Sequence, residues 1–380
     1  MASVIEQRGY FTSLPRNYYV SPEVFETELE RGLRRQWLYA GHISQVRDTG
    51  GYFSRLVGPE SMIVTRDDED EIRAFFNVCR HRGAQLCPSG TAGRAKQFVC
   101  PYHRWSYGLD GRLLGAPGSP DGLDFDYRDW PLHEALCDTF HGGIWVWLGD
   151  PAEAPSLRET LEPMVNDLAM LERVRPERTK IAHQETYDIK ANWKLLLENN
   201  CECYHCAGAH PSLAATCDYA GFFTPRDEEV AKLSGPQRHF PLREGMKTFS
   251  MDGEWVSRKP LGCGFVPDYS CGYINVPFFS GPVYFADHGV HLDLTPIDKD
   301  TTRLVCQWFV HEDAVESEDY DVEKLIGVFH VTNIEDGELA ALNQRGVNSH
   351  RFVPGPNSPT REPFIKAALE KYLALMDDAA

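Results

Sequence analysis

Two short runs, Cys79-Arg80-His81 and Cys100-Pro101-Tyr102-His103, each carry one cysteine and one histidine. Two thiolates and two imidazoles are the donor set of a [2Fe–2S] cluster in which two Cys hold one iron and two His replace the usual Cys pair on the other, raising the potential. Each run is expected at the tip of a loop, so that Cys79, His81, Cys100 and His103 clamp the cluster from opposite sides. A structural zinc site also accepts two Cys and two His. A zinc finger, however, keeps its Cys in one half and its His in the other, whereas here each half carries one of each at unequal spacing.

A second constellation lies at Glu198-Asn199-Asn200-Cys201-Glu202-Cys203-Tyr204-His205-Cys206-Ala207-Gly208-Ala209-His210. His205 and His210 are five positions apart, about 140° around an ideal helix and too far to share a small ion. Gly208, and Pro211 directly after His210, give the helix a reason to loosen and bring the rings together. Two His and one carboxylate make the facial triad of non-haem Fe(II), which leaves positions open for O₂. The carboxylate favoured is Asp336 in Asn333-Ile334-Glu335-Asp336-Gly337-Glu338, and periodicity alone does not separate it from Glu335 and Glu338. The His pair by itself is weak, but an electron-donating cluster in the same chain calls for an electron-consuming site. Cys201, Cys203 and Cys206 have no matching second pair and read as buried structural thiols.

The elements around these residues follow from patterning. Ser21 caps and Pro22 opens an amphipathic helix over Ser21–Tyr39, with Phe25, Leu29, Leu33 and Trp37 on one face. Strands are expected at Tyr52-Phe53, Met62–Val64 and Ala74–Phe76, with the acidic run Asp67–Asp70 as a turn, and again at Gly143–Leu148. Pro151 and Pro155 mark a boundary. Beyond it, a helical stretch spans Asn192–Cys206, an antiparallel sheet spans Tyr269–Phe309, a long helix runs from Val322 past Leu342, and a terminal one covers Glu362–Met376. The domains expected are an N-terminal helical segment packing on the catalytic domain (1–41), a small β domain (42–152) and a larger α+β domain (153–380).

With 380 residues, 42% hydrophobic and 25% charged, the chain suits about two soluble domains. No apolar run is long enough to span a membrane. The start MASVIEQRGYF lacks a secretory h-region, and eleven unpatterned Cys point to a reducing cytoplasm rather than a disulfide framework. A net charge of −18 weighs against nucleic acid.

On these residues the chain resembles the large (alpha) subunit of the Rieske non-haem iron oxygenases over nearly its full length. The resemblance is carried by Cys79-Arg80-His81-Arg82-Gly83, Cys100-Pro101-Tyr102-His103-Arg104-Trp105, Asn192-Trp193-Lys194, the Glu202/His205/His210 block, and Asn343-Gln344-Arg345-Gly346 after Asp336, which selects Asp336. It implies an α+β fold: an all-β Rieske [2Fe–2S] domain joined to a helix-grip (START-like) catalytic domain with an antiparallel sheet, assembled as a ring-shaped homotrimer. It also implies that Glu202 bridges the iron-ligating His205 to a cluster-ligating His of the neighbouring subunit. Many members carry Asp there. Glu202, Glu-Cys-Tyr-His-Cys, the Asp313–Glu316 stretch leading to Asp319–Glu323, and Pro354-Gly355-Pro356 resemble the subgroup acting on quaternary ammonium compounds such as glycine betaine, stachydrine and carnitine.

The implied activity is reductase- and O₂-dependent N-demethylation of a small cationic substrate, releasing formaldehyde. Electrons come from NAD(P)H through a separate flavin and iron–sulfur reductase, since no G-x-G-x-x-G follows a strand here. A quaternary ammonium would be held by aromatic faces, for which Tyr269, Tyr273, Phe278, Phe279, Tyr284, Phe285 and Trp308 are candidates, each also a plausible core residue. Hydroxylation of another small molecule, or simple electron transfer, are the other functions open. Respiratory Rieske proteins add a disulfide and hydroxyl donors near the cluster. Here Cys87 faces Tyr102 in place of a second Cys and Trp105 stands where a hydroxyl is expected, which predicts a low potential of roughly −150 mV.

Overall fold

The computed structural model describes residues 6–7, 9–118, 125–218, 241–262, 270–275 and 280–377. The chain forms two compact units, one of residues 33–157 and one built from residues 1–32 together with 158–380.

The smaller unit is all β apart from short 3₁₀ turns. Its strands are β1 (Trp37–His42), β2 (Gly51–Val57), β3 (Glu60–Arg66), β4 (Ile72–Phe76), β5 (Ala92–Arg94), β6 (Phe98–Val99), β7 (Ser106–Tyr107), β8 (Leu113–Gly115), β9 (Glu134–Phe140) and β10 (Gly143–Trp147). Seven form an antiparallel sheet in the order β1-β10-β9-β4-β3-β2-β5, and β8-β7-β6 form a small second sheet. The turn between β3 and β4 is the acidic run. Asp67 Oδ1 accepts from Glu69 N and Glu71 N, both at 2.9 Å, and Asp67 Oδ2 accepts from Arg73 Nε at 2.5 Å.

The expected helix over Ser21–Tyr39 is shorter than its apolar pattern. Ser21 caps it through Val24 N at 3.2 Å, but α-helix ends at Thr27, followed by a π-turn over Glu28–Gly32. Leu33 and Trp37 belong to the other unit, where Trp37 pairs with Trp147 across β1 and β10. A helical repeat of apolar residues was therefore shared between a helix and a strand. The compact units divide at 32/33 and 157/158.

The larger unit is α+β. Its sheet contains β11 (Thr179–Ile189), β12 (Cys271–Gly272), β13 (Ser280–Tyr284), β14 (Gly289–Asp298) and β15 (Thr301–His311), antiparallel in the order β11-β15-β14-β13-β12. Three helices matter for the site: α1 (Trp193–Asn200), α2 (Val322–Val347) and α3 (Pro363–Asp377). The sheet grips α2. Tyr187 OH meets His330 Nδ1 at 2.7 Å, and a Cβ on Gly337 would lie 3.3 Å from Ile189 Cγ1, so the absent side chain lets helix and sheet close. Phe249, Phe285, Trp308, Val310, Leu325 and Phe329 form the apolar core between them. Of the aromatic cation candidates, Tyr273, Tyr284, Phe285 and Trp308 are buried, whereas Tyr269, Phe278 and Phe279 lie outside the described residues. Among the described residues no helix is long and apolar enough to cross a membrane.

Candidate metal centres

The two Cys/His runs occupy matched loops of the smaller unit, after β4 and after β6. In each, the Cys amide and carbonyl close a tight turn. Cys79 N donates to Ala84 O and Cys79 O accepts from Gly83 N, while Cys100 N donates to Trp105 O and Cys100 O accepts from Arg104 N. The fourth residue after each Cys is left-handed, Gly83 at φ +73° and Arg104 at φ +63°. Glycine takes this conformation freely and Arg104 takes it at a cost of order 1 kcal/mol. Both cysteines are buried, at 2% and 1% exposure, whereas the His81 and His103 rings stand outward with centroids 4.6 Å apart. Two buried thiols beneath an exposed His81 and a half-buried His103 are a donor set that would suit a [2Fe–2S] cluster. Asn77 braces the first loop: Oδ1 accepts from Leu86 N and Cys87 N, and Nδ2 donates to Cys87 O.

Trp105 stacks on His81, with centroids 4.8 Å apart and planes 8° from parallel. Cys87 is a free thiol that burial pushes up to about 11. The expectation that the sulfurs lack a hydroxyl donor needs correction. Tyr107 OH sits 3.3 Å from Cys79 Sγ and accepts from Arg80 N at 3.0 Å. Burial, then the Cys79 sulfur, hold its phenol well above its ordinary range, so it stays a donor. Its place two residues beyond Trp105 was the missed signal, because alternation in β7 points both side chains to the same face.

In the larger unit, α1 ends earlier than the sequence suggested. Asn192 caps it by accepting from Lys194 N at 3.1 Å, and the helix stops at Asn200. The chain then turns through Glu202 and His205 into two short helices, Cys206–Ala209 and Pro211–Thr216, with His210 at φ −123°, ψ 76° between them. This break does what an unbroken helix could not. His205 Nε2 lies 3.1 Å from His210 Nε2, and Asp336 Oδ1 lies 3.2 Å and 3.0 Å from the two nitrogens. The outer nitrogens are both held by carboxylates, His205 Nδ1 by Glu202 Oε1 and His210 Nδ1 by Glu335 Oε2 at 2.7 Å. Glu335, a rival ligand in the sequence, is thus turned to the outer side of His210.

With each Nδ1–H given to a carboxylate, both Nε2 lone pairs point at the Asp336 oxygen. Three acceptors converging this closely require a cation. Without one, protons fill the gap. Burial lowers the proton affinity of His205, but Asp336 and Glu202 outweigh it and raise its pKa to about 9. Burial raises Asp336, and the two imidazoles outweigh it and bring it down to about 2. Asn199, which sequence reasoning overlooked, completes the site: Nδ2 donates to Asp336 Oδ1 at 2.9 Å, while its buried Oδ1 has no partner among the described residues. Its position one helical turn before Glu202 was the available signal. The donors fit a hard or borderline dication with open positions. A cavity of about 370 Å³ opens beside the site, lined by Tyr19, Glu198, Asn199, Glu202, His205 and Glu362 among others.

One sequence expectation at this site is overturned. Cys203 and Cys206, taken as structural thiols, are joined by a disulfide, with Cα atoms 4.9 Å apart. The turn that carries His205 brings them together, Cys206 N donating to Cys203 O.

Both units of the chain match known families. The Rieske [2Fe-2S] domain family matches residues 36–127, and the ring hydroxylating alpha subunit (catalytic domain) family matches residues 176–378. The chain belongs to the Rieske-type non-haem iron oxygenases as a large, catalytic subunit, and is an oxidoreductase. Over 387 aligned residues it is 36% identical to the glycine betaine monooxygenase oxygenase subunit of Pseudomonas aeruginosa, covering 95% of this chain and 88% of that one. It is 32% identical to the carnitine monooxygenase oxygenase subunit of Escherichia coli K12, over 90% and 85% of the two chains. In fold it resembles the crystal structure of the quaternary ammonium Rieske monooxygenase CntA, with TM-score 0.78, 22% identity and coverage of 97% and 95%.

Proposed function

We propose that this chain is the oxygenase component of a multicomponent monooxygenase that oxidatively removes a methyl group from a small quaternary ammonium compound of the glycine betaine type. A separate flavin and iron–sulfur reductase using NAD(P)H delivers the electrons. The overall reaction is R₃N⁺–CH₃ + O₂ + NAD(P)H + H⁺ → R₃NH⁺ + HCHO + H₂O + NAD(P)⁺. One oxygen atom ends in formaldehyde and the other in water. The observation that carries this reading is the convergence of His205, His210 and Asp336 in a chain whose glycine betaine relative aligns with 95% of it.

When bound, the cluster held by Cys79, His81, Cys100 and His103 supplies single electrons, and Fe(II) held by His205, His210 and Asp336 supplies O₂ activation. The residues of the chain do the rest. Glu202 and Glu335 fix the tautomer and tilt of the two imidazoles. Asn199 orients the Asp336 carboxylate, so that one oxygen faces both rings. Glu202 is also the bridging residue of the proposal: in a ring-shaped homotrimer its carboxylate would accept from a cluster-ligating His of the next copy. The acidic cavity at Glu202, with Glu198 and Glu362, supports docking of the arginine-flanked His81 and His103 loops. A cytoplasmic location follows from the same reading.

Formaldehyde release from a panel of glycine betaine, stachydrine and carnitine, with a reductase and O₂, tests the reaction. Hydroxylated product without formaldehyde would instead favour hydroxylation of another substrate. Metal analysis separates both from electron transfer, since an oxygenase holds about three irons per chain and a carrier about two. Full activity in metal-loaded Glu202→Ala would remove the bridging role.

A further inference from the structure

The Cys203–Cys206 bond encloses His205, and Cys206 lies against the metal site. One ligand nitrogen of His205, one of His210 and Cys206 Sγ all lie within 4.8 Å of one another. The thiolate is the form of sulfur that binds metal, so the disulfide holds this donor out of use. Freed, Cys206 would be a soft ligand at the edge of a hard one. Two His and one carboxylate with open positions suit Fe(II). Two His and a thiolate supply three of the four N and S donors that a closed zinc site takes.

We propose that the Cys203–Cys206 disulfide guards the metal identity of this site: closed, it leaves the set for Fe(II), and opened, it releases Cys206 to join His205 and His210 in capturing Zn²⁺. This rests on the reading of His205, His210 and Asp336 as a metal site. Opening needs a dithiol reductant, whose two thiols become a disulfide while Cys203 and Cys206 each gain a hydrogen. Closing needs a peroxide. One thiol gives up its proton and its sulfur attacks a peroxide oxygen, forming a sulfenic acid while the displaced hydroxide takes that proton as water; the second thiol then displaces the sulfenic hydroxyl as another water. Cys206 sits at the first residue of a short helix, next to His205 and 4% exposed. Cys203 is left among the apolar core residues, a setting a neutral thiol tolerates.

The test uses enzyme that carries its cluster but has been stripped of mononuclear metal by a chelator, then titrated with Zn²⁺. Cys203→Ser keeps Cys206 permanently free, and Cys206→Ser removes it. Cys203→Ser is expected to bind zinc about tenfold or more tighter than Cys206→Ser or unreduced wild type. Zinc K-edge absorption is expected to show sulfur at about 2.3 Å in Cys203→Ser and in reduced wild type, and not in Cys206→Ser or unreduced wild type. Wild type treated with a dithiol and then freed of it should move to the Cys203→Ser value, which supplies the comparison even if that variant folds poorly. Alkylation and mass analysis should find positions 203 and 206 unlabelled in unreduced wild type. Equal zinc affinities, a zinc shell of nitrogen and oxygen only in Cys203→Ser, or two free thiols in unreduced wild type would each overturn the guard. Zinc held by His205 and His210 without sulfur would leave the metal site standing. Zinc binding indifferent to His205→Ala and His210→Ala would sink the site as well.

Discussion

Lys194 Nζ lies 2.7 Å from Glu28 Oε1, with both side chains sealed from solvent. Glu28 also accepts from Trp193 Nε1 at 2.8 Å and Tyr372 OH at 2.6 Å. The first turn of α1, the terminal helix α3 and the N-terminal segment therefore meet at one carboxylate. The π-turn at Glu28–Gly32 aims that carboxylate inward, and α1 carries Asn199 at its far end. Burial pushes the Lys194 ammonium below its ordinary range, and Glu28 opposes that. Removing one partner strands the other charge. Glu28→Ala should cost about 3–5 kcal/mol in denaturant unfolding, and a double-mutant cycle with Lys194→Met should show strong coupling. Additive effects would mean that the pair is energetically idle.

Glu335→Gln keeps the shape of the side chain but removes the charge that holds His210 Nδ1. Iron should be lost to a chelator about 10–100-fold more readily, with the cluster absorption intact. Unchanged iron retention would show that Glu335 is a bystander.

Tyr107→Phe removes the hydroxyl beside Cys79 Sγ. A donor to a ligand sulfur favours the more negative reduced cluster, so its loss should lower the potential. A differential of about 1 kcal/mol is about 40 mV for one electron, at ~59 mV per tenfold. Protein-film voltammetry would read this directly, and a shift to higher potential would reverse the assignment of Tyr107 as donor.

Asp67 sets the acid limit of the β3–β4 turn. Burial raises its pKa, but the hydrogen bond from Arg73 and the amides of Glu71 and Glu69 outweigh it, so the folded value lies below the unfolded one. Its stabilisation is thus fully present above the unfolded value of about 3.9 and is lost as pH falls through the lower folded value. Arg73→Ala should cost about 2 kcal/mol at neutral pH and move acid unfolding, followed by circular dichroism, to higher pH. An unmoved acid midpoint would show that the turn amides alone hold Asp67.

Alternation and turn chemistry in the sequence located four strands of the smaller unit, β2, β3, β4 and β10, with the loops bearing Cys79 and Cys100 and the long helix bearing Asp336, because each depends on neighbours in the chain. The same local reasoning extended a helix from Ser21 to Tyr39, since a stripe of Phe25, Leu29, Leu33 and Trp37 does not reveal that its last member, Trp37, pairs with a strand more than a hundred residues away. Residue types also offered His205 and His210, and the family resemblance chose Asp336 over Glu335 and Glu338. What only tertiary structure decided is how they meet: the end of α1 at Asn200, Glu335 turned to the outer nitrogen of His210, and Asn199 beside Asp336. The two stretches Asn192-Trp193-Lys194 and Asn343-Gln344-Arg345-Gly346 show why. Asn192 N donates to Gln344 Oε1 at 2.7 Å, and that bond sets the start of α1 against the end of α2. Composition and spacing fix which donors a chain owns. Where their lone pairs point is set by contacts between segments far apart in sequence, and those form only when the core closes.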